Sequence, residues 1–440
     1  MSELLSIRAA AREAGNAVAL HVGDQRYRYA DLARLAEPHV NALASRGPGP
    51  VPLVGTNTID TLVTLYALLE ARRPALLLHP KLTATERAIE LAATAQAAAT
   101  VPDGAAAILY TSGTTGRARG AVLTRAALLA SAQASSANLG WQDDDCWLLA
   151  MPLARIGGLS IVTRCLAARR TVALAPAFDA ARLPQWIEEH RVTLLSLVPT
   201  MLAQALDAHP DWRPPAHLRV LLLGGAAASP TLLERAARHG ISIVITYGCT
   251  ETCSQVVATP YARRFDAGSC GAGRPLPGAQ VRVDGGHILV RGPMRMAGYL
   301  GEPPLEPDTW FDTGDLGEFD ADGFLHLHAR RADLIVSGGE NVYPAEVERV
   351  LEGCPGIQAA GVFGLKDETW GQVVAAALVT GSSAPGDDEL IDYLATRLAP
   401  HKRPRWISVV QSLPATPAGK LDRVALATLA TTLRPLHRRP

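Results

Sequence analysis

Residues 106–120 decide how the chain is read: Ala106-Ala107-Ile108-Leu109-Tyr110-Thr111-Ser112-Gly113-Thr114-Thr115-Gly116-Arg117-Ala118-Arg119-Gly120. The first five form a short apolar run, the pattern of a buried strand. It empties into a loop, Thr111 to Gly116, built only of glycines and hydroxyl residues and closed by Arg117 and Arg119. Glycine lets a backbone turn sharply and bring its N–H groups close to an anion, and hydroxyls add uncharged donors. Guanidinium groups then supply charge for phosphate oxygens. A Ser/Gly linker is the plain alternative, but linkers seldom follow a buried strand or end in two cations. The stretch is read as a strand feeding a phosphate-binding loop.

Strand and helix patterns alternate outward from this loop. Upstream, residues 27–36 read as a strand end entering an amphipathic helix, 57–71 as a helix and 74–79 as a strand; the Ala-rich residues 92–107 are expected to be a poorly ordered approach. Downstream, residues 147–153, 171–175, 194–199 and 218–225 look like buried strands, with helices such as 126–137 and 200–208 between them. Such alternation argues for parallel α/β sheets. Two strand ends gather small residues: Gly224-Gly225-Ala226-Ala227-Ala228 and Tyr247-Gly248-Cys249-Thr250-Glu251. Ligands of open α/β sheets bind where carboxyl ends of strands meet. Small residues there let a flat ring approach the backbone, and Tyr247 offers an aromatic face. Either cluster alone reads equally as a turn; the pair favours a nucleotide pocket.

Composition shifts after about residue 265 toward Gly, Pro and short alternating runs (281–283, 287–291, 324–328), with turns at Asp284-Gly285-Gly286 and Asp322-Gly323. These are small antiparallel strands. Arg330-Arg331-Ala332-Asp333 is polar and marks a boundary, after which strands (334–336, 359–363, 373–379, 407–410) and helices (345–351, 389–398) form an α+β unit. The expected fold is α/β: a large N-terminal domain, 1–329, of parallel α/β subdomains plus a small antiparallel β subdomain, then a small α+β C-terminal domain, 334–440.

At 440 residues, two or three domains are expected. A hydrophobic content of 48% with 19% charged residues describes a packed globular chain, not a disordered one. The 42 basic and 42 acidic side chains cancel, leaving no global field for nucleic acid or an anionic membrane. The N-terminus lacks the basic start and apolar core of a signal peptide, and no apolar stretch approaches the ~20 residues that span a bilayer. No membrane insertion and a cytoplasmic location are the expectation. The six cysteines are scattered; Cys249 and Cys253 have the spacing to face each other on a helix, but no Cys or His partners complete a zinc site. Buried free thiols are the reading.

The loop is not the GxxxxGK[ST] type, because Gly113 and Gly116 stand too close and no Lys-Ser/Thr follows. It resembles the phosphate loop of the acyl-adenylate-forming superfamily (acyl- and aryl-CoA ligases, adenylation domains, luciferases), with Arg119 in the usual lysine's place. Four further stretches are similar to that family's motifs, in its order: Tyr247-Gly248-Cys249-Thr250-Glu251, Trp310-Phe311-Asp312-Thr313-Gly314-Asp315, residues 330–348, and the stretch from Leu413 to Lys420.

The resemblance implies a two-step reaction. ATP converts a carboxylate to an acyl-AMP with release of pyrophosphate, and a thiol then displaces AMP. It implies that Thr111, Ser112, Gly113, Thr114, Thr115, Gly116 and Arg119 hold the β- and γ-phosphates, that Thr250 touches the α-phosphate, and that Glu251 binds Mg²⁺, a hard cation. Gly224, Gly225, Ala226, Tyr247 and Gly248 would hold adenine, and Asp315 with Arg330 the ribose. Lys420 would bridge acid and ATP. Residues 330–333 would be a hinge about which a mobile C-terminal domain rotates, although Ala332 stands where the family often has a charge. Gly338 and Gly339 would line the CoA tunnel, or equally only make a turn.

The wording of residues 151–160, 221–226, 247–254 and 337–348 is nearest to the o-succinylbenzoate–CoA ligases of menaquinone biosynthesis, which makes o-succinylbenzoate the expected acid and ATP, Mg²⁺ and CoA the expected ligands. One departure matters: Ala154-Arg155 replace the Phe-His of that branch's Pro-Leu-Phe-His motif. Arg155, with Gly158, is a candidate for the acid's carboxylate, or Arg155 points to solvent. Three alternatives stay open: another aryl-CoA ligase of the benzoate or anthranilate type, an enzyme loading an aryl acid onto a carrier protein, and a nucleotide-binding relative without turnover.

Overall fold

The computed structural model describes residues 3–112, 118–225, 228, 230–330, 335–342, 344–381, 383–414, 425–426 and 428–437, with the backbone alone at 112, 230, 231, 328–330, 345, 349, 430 and 431. The chain forms two compact units: Met1–Pro80 with Thr94–Tyr110 and Gly120–His328, and Lys81–Ala93 with Thr111–Arg119 and Ala329–Pro440.

A nine-stranded sheet dominates the first unit. Its centre is a run of parallel neighbours, Ile243–Cys249, Val220–Leu223, Leu194–Leu197, Cys146–Leu149, Thr171–Leu174 and Val18–Val22. Antiparallel strands close both edges, Ser254–Ala258 and Arg274–Pro275 on one side and Gln25–Arg28 on the other. These strands read as unbroken apolar runs because both faces are covered. Along Cys146–Leu149, Trp147 and Leu149 enter one hydrophobic core while Cys146 and Leu148 enter a second on the opposite face. Val220–Leu223 splits the same way, with Leu221 and Leu223 in that second core.

A five-stranded sheet shares the first core. Val51–Val54, Ala75–Leu78 and Ala105–Ser112 run parallel, and Ala118–Thr124 and the short Gly298–Tyr299 extend it. Helices join these strands where the sequence provides caps. Thr58 accepts from Thr61 N–H to start Ile59–Glu70, and Thr124 accepts from Ala127 N–H to start Arg125–Leu139. The third sheet has four strands, Gln280–Asp284, His287–Arg291, Phe311–Phe319 and Leu325–Arg330. Gly285 and Gly286, with φ of 55° and 86°, make the two-residue turn of its first hairpin, a backbone only glycine enters freely.

The second unit is built on the long antiparallel pair Ile357–Asp367 and Gly371–Thr380, with helices Pro344–Glu352 and Asp387–Ala395 packing Val347, Leu351, Leu390 and Leu394 into its core. Buried Lys402 reaches Glu346 at 2.7 Å and Glu86 at 3.5 Å, and Glu86 also accepts the Ala399 N–H at 3.1 Å.

The parallel α/β, antiparallel β and α+β composition matches the expected fold class. Two expectations fail. Residues 92–107 are built, not poorly ordered: helix Ala84–Gln96 ends there, a 3₁₀ turn at Ala98–Thr100 follows, and strand Ala105–Ser112 begins. Alanine is a strong helix former, and Ala105, Ala106 and Ala107 are small enough to be buried in the sheet. Cys249 and Cys253 share no helix; a strand ends at Cys249 and a single 3₁₀ turn, Thr250–Thr252, separates them. All six cysteines are free, and five are buried. Among the described residues no helix is long and apolar enough to cross a membrane.

Candidate active site

The parallel strands deliver the small-residue clusters at their carboxyl ends, and packing explains the glycines. A Cβ on Gly224 would sit 2.2 Å from Thr246 Oγ1, and one on Gly248 would sit 1.9 Å from the Ser254 carbonyl oxygen. Gly248 lies where the register shifts between Ile243–Cys249 and its antiparallel neighbour, so the two backbones approach more closely than a side chain permits. Gly225 adopts φ +80° as the chain turns off the sheet.

Tyr247 and Asp315 meet. The tyrosine hydroxyl donates to Asp315 Oδ2 at 2.9 Å and lies 3.0 Å from Thr313 Oγ1. Thr313 in turn donates to the Ile288 carbonyl at 2.9 Å and accepts the Asp315 N–H at 3.2 Å. Both Tyr247 and Asp315 are buried. Burial, and then the neighbouring Asp315 charge, push the tyrosine pKa well above its ordinary value, so Tyr247 remains a neutral donor.

Thr250 and Glu251 stand on a strained turn. Cys253 and Ser254, just after it, have φ of 51° and 95°, left-handed backbone at non-glycine residues, which costs on the order of 1–3 kcal/mol each. Side chains hold that geometry: Thr252 Oγ1 accepts the Cys249 N–H at 2.9 Å and donates to the Ser254 carbonyl at 2.8 Å, while Ser131 donates to the Cys253 carbonyl at 2.6 Å. Glu251 is gripped from the Gly298–Tyr299 segment. Its carbonyl accepts the Met296 N–H at 2.7 Å and its Oε1 accepts the Tyr299 hydroxyl at 2.9 Å. Tyr299 pairs with Ala121 on the strand that leaves the phosphate loop.

Arg155 is the N-cap residue of helix Ile156–Ala168 and is partly buried. Gly158 lies in that helix's first turn, where a Cβ would meet the Pro152 carbonyl oxygen at 2.3 Å. Three residues that the sequence did not single out belong to this region. Arg164, two turns along the helix, is 3% exposed; its guanidinium lies 5.6 Å from the Trp147 ring centroid. Its Nε and Nη2 have no hydrogen-bond partner among the described residues. Burial lowers its pKa to about 10, which still leaves a cation at neutral pH. Gln255, on the strand against which this helix packs, is likewise buried with an unpartnered Nε2. Asn57 is the third, with a side chain bonded to the segment preceding Arg155. A visible signal for Arg164 was a lone cation in the apolar stretch 159–167, since arginine is almost never fully buried unless paired.

In the second unit, Thr111 Oγ1 donates to the Arg119 carbonyl at 3.4 Å, bringing the two ends of the phosphate loop together. Gly338 and Gly339 have φ of 59° and 79° and form the turn between Ile335–Ser337 and Glu340–Val342. A Cβ on Gly338 would lie 2.6 Å from the Trp370 ring, so the hairpin turn and this close approach both favour glycine at 338. Gly113, Thr114, Thr115, Gly116, Ala226, Lys420 and hinge residues 331–333 lie outside the described residues, as do the side chains of Ser112 and Arg330.

The chain matches the family profile described as AMP-binding enzyme over residues 86–300 and that described as AMP-binding enzyme C-terminal domain over residues 346–420. It is 43% identical over 336 residues to a 2-succinylbenzoate–CoA ligase of Bacillus licheniformis, covering 73% of this chain and 69% of the relative. Among solved structures it resembles a double mutant of o-succinylbenzoate CoA synthetase from Bacillus subtilis bound to the product analogue OSB-NCoA, with a TM-score of 0.89, 31% identity and coverage of 99% and 100% of the two chains. The same Bacillus subtilis enzyme in complex with ATP and magnesium ion matches with a TM-score of 0.69 at 31% identity, over 96% and 98%. The chain belongs to the AMP-binding enzymes, the acyl-adenylate-forming family whose motifs it carries.

Proposed function

We propose that the protein is an AMP-forming acid–CoA ligase acting on 2-succinylbenzoate in menaquinone biosynthesis, using ATP and Mg²⁺. The observation that carries the choice of acid is the buried guanidinium of Arg164, whose Nε and Nη2 have no hydrogen-bond partner among the described residues. An uncompensated cation in a protein interior is costly, and a dicarboxylic acid resolves it: one carboxylate is activated while the other pairs with Arg164, with Gln255 Nε2 as a second donor. Benzoate has no second carboxylate to offer.

In the first half-reaction the acid's carboxylate oxygen attacks the α-phosphorus and pyrophosphate departs. In the second, the CoA sulfur attacks the acyl carbonyl and AMP departs. An anion attacking a polyanion needs charge neutralised around it. Thr111, Ser112, the loop Gly113 to Gly116, and Arg119 would hold the β- and γ-phosphates, Thr250 the α-phosphate, and Lys420 the acid carboxylate and ATP together. Glu251, oriented by Tyr299 and Met296, offers the hard oxygen donor that suits Mg²⁺. That ion supplies further neutralisation of the triphosphate when bound. Asp315, held by Tyr247, would accept the ribose hydroxyls with Arg330 beside it, and the Gly224 to Ala226 turn with Gly248 would carry adenine. Arg155 and Gly158 would face the acid, and Gly338 and Gly339 the CoA chain. Domains of 1–329 and 334–440 about a hinge at 330–333, and a cytoplasmic setting where ATP and CoA are available, complete the reading.

The test is ATP-dependent thioester formation followed by mass spectrometry, with 2-succinylbenzoate, benzoate, anthranilate and salicylate as acids. A succinylbenzoyl-CoA product that disappears in Lys420→Ala supports the proposal. Product from a monocarboxylic acid alone would overturn the substrate assignment, and adenylate without thioester would point to a carrier-protein acceptor.

A further inference from the structure

We propose that Asn57 is a positioning residue for the acid site, setting the segment from Leu149 to Arg155 from which the helix bearing Arg155 and Arg164 starts; this rests on the assignment of that helix to acid binding. Asn57 follows the strand Val51–Val54 and immediately precedes Thr58, the N-cap of the next helix. Its side chain is 6% exposed and uses both ends of its amide. Nδ2 faces three carbonyl oxygens, Leu149 at 3.3 Å, Met151 at 3.1 Å and Ala175 at 3.1 Å, while Oδ1 accepts the Leu153 N–H at 3.1 Å.

Those partners are the end of one parallel strand, Cys146–Leu149, the residue after its neighbour Thr171–Leu174, and the loop that leaves the sheet. Met151 and Leu153 flank Pro152, which has no N–H to contribute, so a single side chain meets the backbone on both sides of the proline. Gly55 completes the seat: a Cβ there would lie 2.6 Å from both the Cβ and N of Ala154. Directly after this seat, Arg155 N–H bonds the Pro152 carbonyl at 3.0 Å and the Arg155 carbonyl accepts Leu159 N–H at 3.0 Å, starting the helix. The starting point of the helix, and with it the placement of Arg164 beside the sheet, is therefore referred to one amide in the loop that follows a strand of a different sheet. Only Asn provides two donors and an acceptor at this reach. Asp would set a carboxylate against carbonyl oxygens.

The experiment is steady-state kinetics of full-length wild type, Asn57→Ala and Asn57→Asp, varying 2-succinylbenzoate and ATP separately, with AMP affinity by calorimetry and a thermal melt. Misplacement of a binding group by around an ångström is felt strongly, so KM for the acid is expected to rise about tenfold or more while KM for ATP and AMP affinity stay within about twofold. Gly55→Ala, which presses on the Ala154 backbone while leaving the Asn57 amide in the chain, is expected to give the same acid-selective rise and serves if the Asn57 variants fold poorly. Unchanged acid KM in folded variants overturns the proposal, as does an equal rise in both KM values with a lowered melting temperature. A wild type inert toward 2-succinylbenzoate overturns the substrate reading and this proposal with it; an active wild type matched by its variants overturns this proposal alone.

Discussion

The Tyr247 hydroxyl donates to Asp315 Oδ2 across 2.9 Å, joining the carboxyl end of a parallel strand to the antiparallel sheet. Tyr247→Phe keeps the ring and removes that donor. A hydrogen bond to a charged group contributes about 1.5–3 kcal/mol, so kcat/KM for ATP should fall roughly 10- to 100-fold. Pyrophosphate exchange with varied ATP measures it, and a change within twofold would show that Asp315 keeps its place without the tyrosine.

Arg164→Met removes a buried charge and fills its volume with an apolar side chain. Replacing a poorly compensated buried charge in this way is often neutral or stabilising, so the melting temperature should hold or rise. Turnover of 2-succinylbenzoate should fall about 100-fold, with Arg164→Lys retaining part of it. Equal losses for mono- and dicarboxylic acids would remove Arg164 from the recognition of a second carboxylate.

Tyr299→Phe leaves Glu251 Oε1 without its hydroxyl donor. Residues that orient a metal-binding carboxylate typically affect metal affinity 10- to 100-fold, and the Mg²⁺ concentration for half-maximal rate is expected to rise about tenfold. A magnesium titration at saturating ATP checks this. An unaltered midpoint would mean that Glu251 is oriented without the Tyr299 hydroxyl.

Asp145 and Arg219 form a buried pair at the amino ends of the parallel strands, away from the site. Arg219 Nε and Nη2 reach the two carboxylate oxygens at 2.8 and 2.6 Å, and Thr193 Oγ1 and Gln142 N–H also donate to them. Burial acts to raise the Asp145 pKa, but the Arg219, Gln142 and Thr193 hydrogen bonds outweigh it and hold the carboxyl below its ordinary value. A lowered folded-state pKa contributes stability that is complete above the unfolded value and is lost as pH falls through the folded one. Asp145→Asn should therefore cost about 3–5 kcal/mol near pH 7 and somewhat less near pH 3, where the loss that runs down to the folded-state value has only begun, with kcat and KM unchanged. Urea unfolding at both pH values measures it, and a pH-independent difference would contradict the ionic origin.

Much of the architecture was legible from local pattern. Strands such as Cys146–Leu149 and Val220–Leu223 announce themselves as unbroken apolar runs because each is covered on both faces. Asp284-Gly285-Gly286 announces a hairpin because only glycine enters its turn freely. Residues 92–107 misled because their alanines carry little amphipathic signal, yet suit both a helix end and a tightly packed strand.

The sequence by itself determined the family chemistry. A loop of glycines and hydroxyls after a strand, the Tyr247 to Glu251 stretch and the Asp315 motif are short and contiguous, so their order along the chain is enough to read them. Only the tertiary structure decided how those pieces are held. Tyr247 and Asp315 meet at a sequence separation of 68, Tyr299 and Glu251 at 48, and Asn57 and Leu153 at 96. Arg164 shows the same limit: its position in the sequence is plain, but whether its charge is paired depends on what packs around it. Local pattern reports the faces of each element, whereas burial and hydrogen-bond partnership are set by segments distant in the chain.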